Sequence, residues 1–253
     1  MTNSLARLTA IMARLRDPET GCPWDIAQTF ATIAPYTIEE AHEVADAIAE
    51  NDMPELKAEL GDLLLQVIFH SRIAEEAGHF TLTDVIIGIC EKMERRHPHI
   101  FSDAPTPTNQ KADWEALKAA ERAQTATSHL NGVARSLPAL MRAQKLQSRA
   151  ARIGFDWPDI APVRDKVLEE IEEFNTAKTD SERFEEAGDL LFVTVNLLRH
   201  HNIDAEVALR AGNAKFERRF KAMEAIAEPD FASLSLEAQE DLWNRVKQTE
   251  KKS

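Results

Sequence analysis

Glycine, cysteine and tyrosine are scarce in this chain: 8, 2 and 1 among 253 residues. So few glycines, with a low share of β-branched and aromatic residues, argue against a sheet-rich fold and for helices. The cysteines, Cys22 and Cys90, form no C-x-x-C pair and no disulfide framework, as expected of a protein kept in a reducing cytoplasm. No basic segment followed by an apolar stretch opens the chain, so no signal peptide is expected. No apolar run nears the roughly 18 residues that span a bilayer. A glycine-rich phosphate loop is also missing, which argues against a kinase-like or motor nucleotidase. Basic residues are outnumbered, 30 against 43 acids, for a net charge of −13. A field of that sign repels nucleic acid and anionic membranes, and it admits a small anionic substrate only alongside a cation.

What the sequence does contain is helical periodicity almost throughout. Leu5, Leu8, Met12 and Leu15 keep helical spacing up to Asp17-Pro18. Further helices are predicted from near Thr37 to Asn51, from Pro54 to Gly78 and from Thr83 to Arg96, with proline at a first turn and glycine at an end where each is favoured. A loop over Ser102–Thr108 and a short helix around Trp114 and Leu117 follow. Residues 125–137 are polar and without an apolar period, and read as a linker between an N-terminal domain, 1–124, and a C-terminal domain, 138–253. Helices are predicted again over about 138–152, 162–178, 182–201, 204–227 and 235–250.

That restart is an internal repeat. Glu39-Glu40-Ala41-His42-Glu43 matches Glu169-Glu170-Ile171-Glu172-Glu173, and Glu59-Leu60-Gly61-Asp62-Leu63-Leu64 matches Glu186-Ala187-Gly188-Asp189-Leu190-Leu191. Lys92-Met93-Glu94-Arg95-Arg96 matches Lys215-Phe216-Glu217-Arg218-Arg219, and more weakly Trp24-Asp25 matches Phe155-Asp156. Blocks in the same order with similar gaps define two tandem copies of one all-α helical-bundle unit.

At about 100° per residue, Leu56, Leu60, Leu63, Leu64, Val67 and Phe69 cover most of the helix that carries Glu59, while Glu59, Asp62, Gln66 and His70 share a narrow polar stripe. The second copy repeats this with Phe184, Leu190, Leu191 and Leu198 around Glu182, Glu186, Asp189 and Asn196. A helix apolar nearly all round is expected to be buried, and a buried carboxylate must be paired, protonated or metal-bound. The preceding helix adds Glu39, Glu40 and Glu43, or Glu169, Glu170 and Glu173, on one face. If the two acidic faces converge, a hard divalent cation with oxygen ligands relieves their repulsion. Blander readings stand beside this one. The acids of the first of these helices lie opposite Val44, Ala45 and Ile48, as a solvated face does, and Thr37 with Glu40 fits a capping box. Glu59 and Asp62 could equally be satisfied by salt bridges. Lys92 with Arg96 and Lys215 with Arg219 are i,i+4 pairs, suited either to neighbouring glutamates or to phosphate oxygens.

At these residues the chain resembles the MazG family of nucleoside triphosphate pyrophosphohydrolases, whose motif is E-E-x-x-E followed by E-x-x-D. Both copies carry it, and Cys22-Pro23-Trp24-Asp25, Gln28-Thr29-Phe30, Arg95-Arg96-His97-Pro98-His99 and Ser136-Leu137-Pro138-Ala139-Leu140 resemble tandem-domain bacterial members. The resemblance implies an all-α fold of the type shared with dimeric dUTPases, and cleavage of nucleoside triphosphates between the α and β phosphates to a monophosphate and pyrophosphate. It implies Mg²⁺, for which Mn²⁺ can stand in, held by Glu40, Glu43, Glu59 and Asp62 in the first copy and by Glu170, Glu173, Glu186 and Asp189 in the second. Glu39 or Glu169 is then expected to orient the attacking water, Lys92 and Arg96 or Lys215 and Arg219 to hold the outer phosphates, and Asn196 and Trp157 to meet the nucleoside. A homodimer is expected, with no stable nucleic-acid or membrane partner. Two competing readings are a non-catalytic dimerisation or regulatory module with cation-binding acids, and a di-iron carboxylate bundle. Glu39-x-x-His42 fits the latter, but Glu172 breaks it in the second copy.

Overall fold

The computed structural model describes residues 2–102, 128–227 and 230–250, and over these it contains helices and turns without strands. The chain divides into two compact units, Met1–Leu117 and Lys118–Ser253. The helix expected around Trp114 and Leu117 lies outside the described residues, as does the junction of the units.

In the first unit the helices are α1 (Thr2–Leu15), α2 (Pro23–Ala27), α3 (Phe30–Glu50), α4 (Met53–Glu76), α5 (Leu82–Arg96) and the single turn α6 (Pro98–Phe101). The α3–α4 hairpin is its most extensive packing. The hairpin turns on Asn51, whose left-handed φ of 57° closes α3, and on Asp52, whose side chain accepts from Glu55 N. Gly78, at φ 71°, lets the chain leave α4 where a side chain would be strained. Met12, Ile33, Ile68, Phe69 and Ile73 form a continuous apolar core between α1, α3 and α4.

Helix α3 starts a full two turns before the expected Thr37. Thr29 and Thr32 cap it reciprocally, which is strong enough to carry the helix through Pro35. Thr37 therefore lies mid-helix, where its hydroxyl is 3.0 Å from His70 Nε2, and the Thr37–Glu40 capping box does not form.

The second unit contains α7 (Ala139–Ala151), α8 (Ile160–Thr176), α9 (Asp180–His200), α10 (Ala205–Ala227), a 3-10 turn (Phe231–Ser233) and α11 (Leu236–Glu250). The hairpin is now α8–α9, with α7 laid along α9. Residues 128–137, part of the expected linker, form turns and bends tied to α7 by bonds from the Arg149 guanidinium to Asn131 O and Gly132 O. The apolar cluster of this unit sits elsewhere, between α10 and α11, at Met223, Leu242 and Val246.

One expectation fails in both hairpins. Helices α4 and α9 are not buried all round, since Leu60, Leu64, Leu191 and Phe184 are exposed, Phe184 by 83%. Helical periodicity shows that a face is apolar; it does not show that the same chain covers it.

Candidate active site

In the second unit α8 supplies Glu170 and Glu173 and α9 supplies Glu186, and one carboxylate oxygen of each lies within 4.8 Å of the others. Glu170 is buried, and its Oε2 has no hydrogen-bond partner. Desolvation raises the pKa of Glu186 above the usual carboxylate range, and the charges of Glu173, Glu170 and Asp189 push it further. Asp189 is outside the tight group and lines the cavity beside it, with Glu170.

A lysine enters this cluster, and sequence reasoning missed it. Lys166 Nζ is 2.6 Å from Glu169, 2.9 Å from Glu170 and 3.8 Å from Glu173. Its bond to Glu169, then its bond to Glu170, raise its pKa, so it is a fixed ammonium. One positive charge does not neutralise Glu169, Glu170, Glu173, Glu186 and Asp189 together. Lys166 lies three and four residues before Glu169 and Glu170, a spacing that is legible in the sequence.

The first unit repeats the carboxylates without the lysine. Glu40, Glu43 and Glu59 also bring oxygens within 4.8 Å, and Tyr36 occupies the position that matches Lys166. Desolvation raises the pKa of Glu40, with Asp62, Glu43 and Glu39 adding to it, and raises that of Glu59, with Glu43 adding most. Gln66 Nε2 donates to Glu40 at 3.4 Å. Asp62 is outside the tight group, and so is His42. The converging ligands are oxygens only, which suits a hard cation and not the Glu-x-x-His set of a di-iron bundle.

The units differ beside their carboxylates. In the second, Trp157 and Asn196 line a cavity of about 780 Å³ that also meets Lys166, Glu170 and Asp189. In the first, the residue matching Asn196 is Phe69, which is 4% exposed, packs edge-on against Trp24 at 6.5 Å and lies under the Arg16 guanidinium at 5.4 Å. Trp24, itself 52% exposed, also meets Tyr36 edge-on at 6.3 Å.

In the second unit, Arg219 is not among the residues that line this cavity. Arg219 bonds to Glu250 at 2.8 Å and lies 5.3 Å over the Trp243 ring, while Arg218 shares the same glutamate. The bond to Arg219 holds Glu250 below its ordinary pKa. Lys215 is likewise not among the cavity's lining residues.

Two helical hairpins, each converging glutamates from both arms, define an all-α nucleotide pyrophosphohydrolase. Residues 28–101 match the MazG nucleotide pyrophosphohydrolase domain, and residues 145–215 match the phosphoribosyl-ATP pyrophosphohydrolase domain. The chain belongs to the MazG family, in its tandem-domain form. It is 51% identical to the nucleoside triphosphate pyrophosphohydrolase of Escherichia coli strain K12, over 98% of each chain. It is 44% identical to the nucleoside triphosphate pyrophosphohydrolase/pyrophosphatase MazG of Thermotoga maritima, over 95% of this chain and 94% of that one. An uncharacterized Bacillus subtilis protein, YabN, is 44% identical over 96% of this chain and 52% of its own length.

Proposed function

We propose that the second unit hydrolyses nucleoside triphosphates between the α and β phosphates, giving a monophosphate and pyrophosphate. The carrying observation is that one cavity, wide enough for a nucleoside, ends on Glu170, Asp189 and Lys166. The carboxylates fit a divalent cation of the Mg²⁺ or Mn²⁺ type: three glutamate oxygens converge, and the buried Glu170 Oε2 has no other partner. Glu170, Glu173, Glu186 and Asp189 hold it. When bound, such a cation polarises the α-phosphoryl group and lowers the pKa of a coordinated water.

The chain's own groups do the rest. Lys166 pins Glu169 and Glu170 in one arrangement. Glu169, half in solvent beside the ligands, orients the attacking water and accepts its proton. Lys215 and Arg219 hold the outer phosphates, for which Arg219 must exchange its bond to Glu250 for one to a phosphate oxygen. Trp157 and Asn196 take the nucleoside. The first unit keeps the carboxylate cluster at Glu40, Glu43 and Glu59, with Asp62 beside it, and carries the buried Phe69 in place of Asn196.

The exposed apolar stripes of α4 and α9 supply the reason to expect a homodimer: Leu60, Leu64, Phe184 and Leu191 need a cover that a second copy provides. Sedimentation at twice the 28.4 kDa chain mass is the expected result, and a monomer at micromolar concentration would contradict it. No helix among the described residues is long and apolar enough to cross a membrane. With two free cysteines, we place the protein in the cytoplasm.

Incubation with a nucleoside triphosphate and Mg²⁺, followed by phosphorus NMR, is expected to yield monophosphate and pyrophosphate in equal amounts. Diphosphate with inorganic phosphate would refute the reading.

A further inference from the structure

The loop that joins α7 to α8 forms part of the wall of the second unit's cavity, yet its apolar residues do not hold it in place. Ile153, Phe155 and Trp157 line the cavity and are all exposed, Phe155 by 81%. The loop leaves α7 at Gly154, whose φ of 86° is left-handed, and Phe155 N donates back to Ala150 O at 3.1 Å. Side chains so open to solvent bury too little apolar surface to offset the entropy of fixing the loop. The polar residue between Phe155 and Trp157 is better anchored. The Asp156 side chain is 23% exposed and meets the end of α9. Its Oδ1 accepts from Arg199 Nη2, stands 3.1 Å from His200 Nε2 and accepts from the Trp157 amide at 3.0 Å. Arg199 is held in turn by Asn196, whose Oδ1 accepts from Arg199 Nε at 2.9 Å. Burial alone would raise the pKa of Asp156, but the bonds from Arg199 and His200 outweigh it and hold the carboxyl below its ordinary value. Arg199 and His200 are partly buried, so solvent screens this group less than it does a surface ion pair.

The first unit uses the same positions differently. Aligning α4 with α9 through Glu59 and Glu186 sets Phe69 against Asn196, Arg72 against Arg199 and Ile73 against His200. Phe69 and Ile73 lie in the apolar core of the first unit, and Arg72 pairs with Glu75 and Glu76 on its own helix. Asp25, the counterpart of Asp156, is held by its main-chain carbonyl, which accepts from Arg16. A stretch of helix that packs as core in one unit carries in the other a polar group, Asn196, Arg199 and His200, linked to one loop carboxylate.

We infer that Asp156 is a positioning residue: by bridging to Arg199 and His200 it hangs the α7–α8 loop on the end of α9 and so fixes Trp157 in the cavity wall before any ligand arrives. Asp156 itself takes no part in the chemistry. Its contribution is to binding, because a wall that is already ordered does not have to be ordered when the cavity fills. This rests on the nucleotide reading of the second unit.

The test uses the full chain and Asp156→Asn, which keeps the size of the side chain and removes its charge. Without nucleotide, fluorine NMR of protein labelled with fluorotryptophan reads the loop through Trp157, whose signal is assigned with Trp157→Phe. In Asp156→Asn that signal is expected to move toward the position of free fluorotryptophan, while those of Trp24 and Trp243 stay within their linewidths. Kinetics are then measured with Mg²⁺ and whichever of ATP, GTP, CTP and UTP the natural protein turns over fastest. KM is expected to rise about tenfold and kcat to hold within about twofold, because ordering the loop now subtracts from binding. Arg199→Gln is expected to do the same from the other side of the bridge, and it decides the matter should Asp156→Asn not fold. A Trp157 signal that stays in place in a folded variant overturns the inference, and so does an unchanged KM. A fall in kcat beyond about twofold also overturns it, since Asp156 would then act on the reacting groups. No pyrophosphate from the natural protein overturns the nucleotide reading instead, and the Trp157 signal then still decides whether Asp156 holds the loop.

Discussion

Glu170→Gln is expected to lower pyrophosphate release by roughly 10³-fold, while Glu40→Gln, its counterpart in the first unit, changes it by no more than about twofold. The two substitutions are chemically identical and fall at matched positions of the repeat. Each removes one negative charge, keeps the side-chain shape and leaves helix propensity nearly unchanged, so the far-ultraviolet signal should hold in both. They differ in what stands behind the carboxylate. Glu170 reaches a cavity wide enough for a nucleoside, has a buried oxygen with no protein partner and is fixed by Lys166. Glu40 accepts from the Gln66 amide, and in its unit the position of Asn196 is taken by the buried Phe69. Raising Mg²⁺ should recover part of the loss in Glu170→Gln, because a weakened ligand set is saturated at higher metal concentration. Equal losses in both variants would mean that both units turn over substrate. A loss confined to Glu40→Gln would place the chemistry in the wrong unit.

The contrast between the units also marks how far the sequence alone could be read. The acids were legible because charge on a helix is periodic and the repeat gives every position a second witness. Glu40, Glu43 and Glu59 converge, as do Glu170, Glu173 and Glu186. Asp62 and Asp189 share the right faces but stand one step back, because i,i+3 spacing fixes a face and not a distance. Helix starts were legible where one cap dominates, as at Thr81, and not at Thr29, where the reciprocal Thr29–Thr32 cap starts the helix two turns ahead of the expected Thr37. The cavity was not legible at all. Whether Asn196 or Phe69 borders empty space depends on α7 or α1 across from it, and hydropathy along one helix carries no information about its neighbour's side chains. The exposed Leu60 and Phe184 were misread for the same reason.

The second large effect belongs to the first unit and to its stability. Arg16→Met is expected to cost about 3 kcal/mol and to lower the melting temperature of that unit by roughly 10 °C or more, with hydrogen exchange locating the loss in α1 and α4. Arg16 is 8% exposed. Its guanidinium meets both Glu76 oxygens and the carbonyls of Asp25 and Gln28, and it lies over Phe69. Methionine keeps the stem's packing but removes the donor to the Gln28 and Asp25 carbonyls, of which Asp25 O keeps its bond from Gln28 N, and it leaves Glu76 paired with Arg72. Glu76 remains partly exposed, which sets the cost at the low end for a broken buried pair. Burial alone would raise the pKa of Glu76, but its bonds to Arg16 and Arg72 outweigh this and hold it below the ordinary value. A folded pKa below the unfolded one gives stability that is complete above the unfolded value of 4.5 and is lost as pH falls through the folded one. The natural protein should therefore lose this contribution only on strong acidification, and Arg16→Met should show a smaller further loss there, having lost most of it already. Helices α1 and α7 pair Arg7 with Arg142 and Arg14 with Arg149, which sets Met12 against Gln147 as Phe69 stands against Asn196. The unit that fills its cleft with Met12 and Phe69 can close it under a buried arginine. The unit that keeps Gln147 and Asn196 leaves the corresponding space open, and it concentrates its apolar packing at Met223, Leu242 and Val246, between α10 and α11.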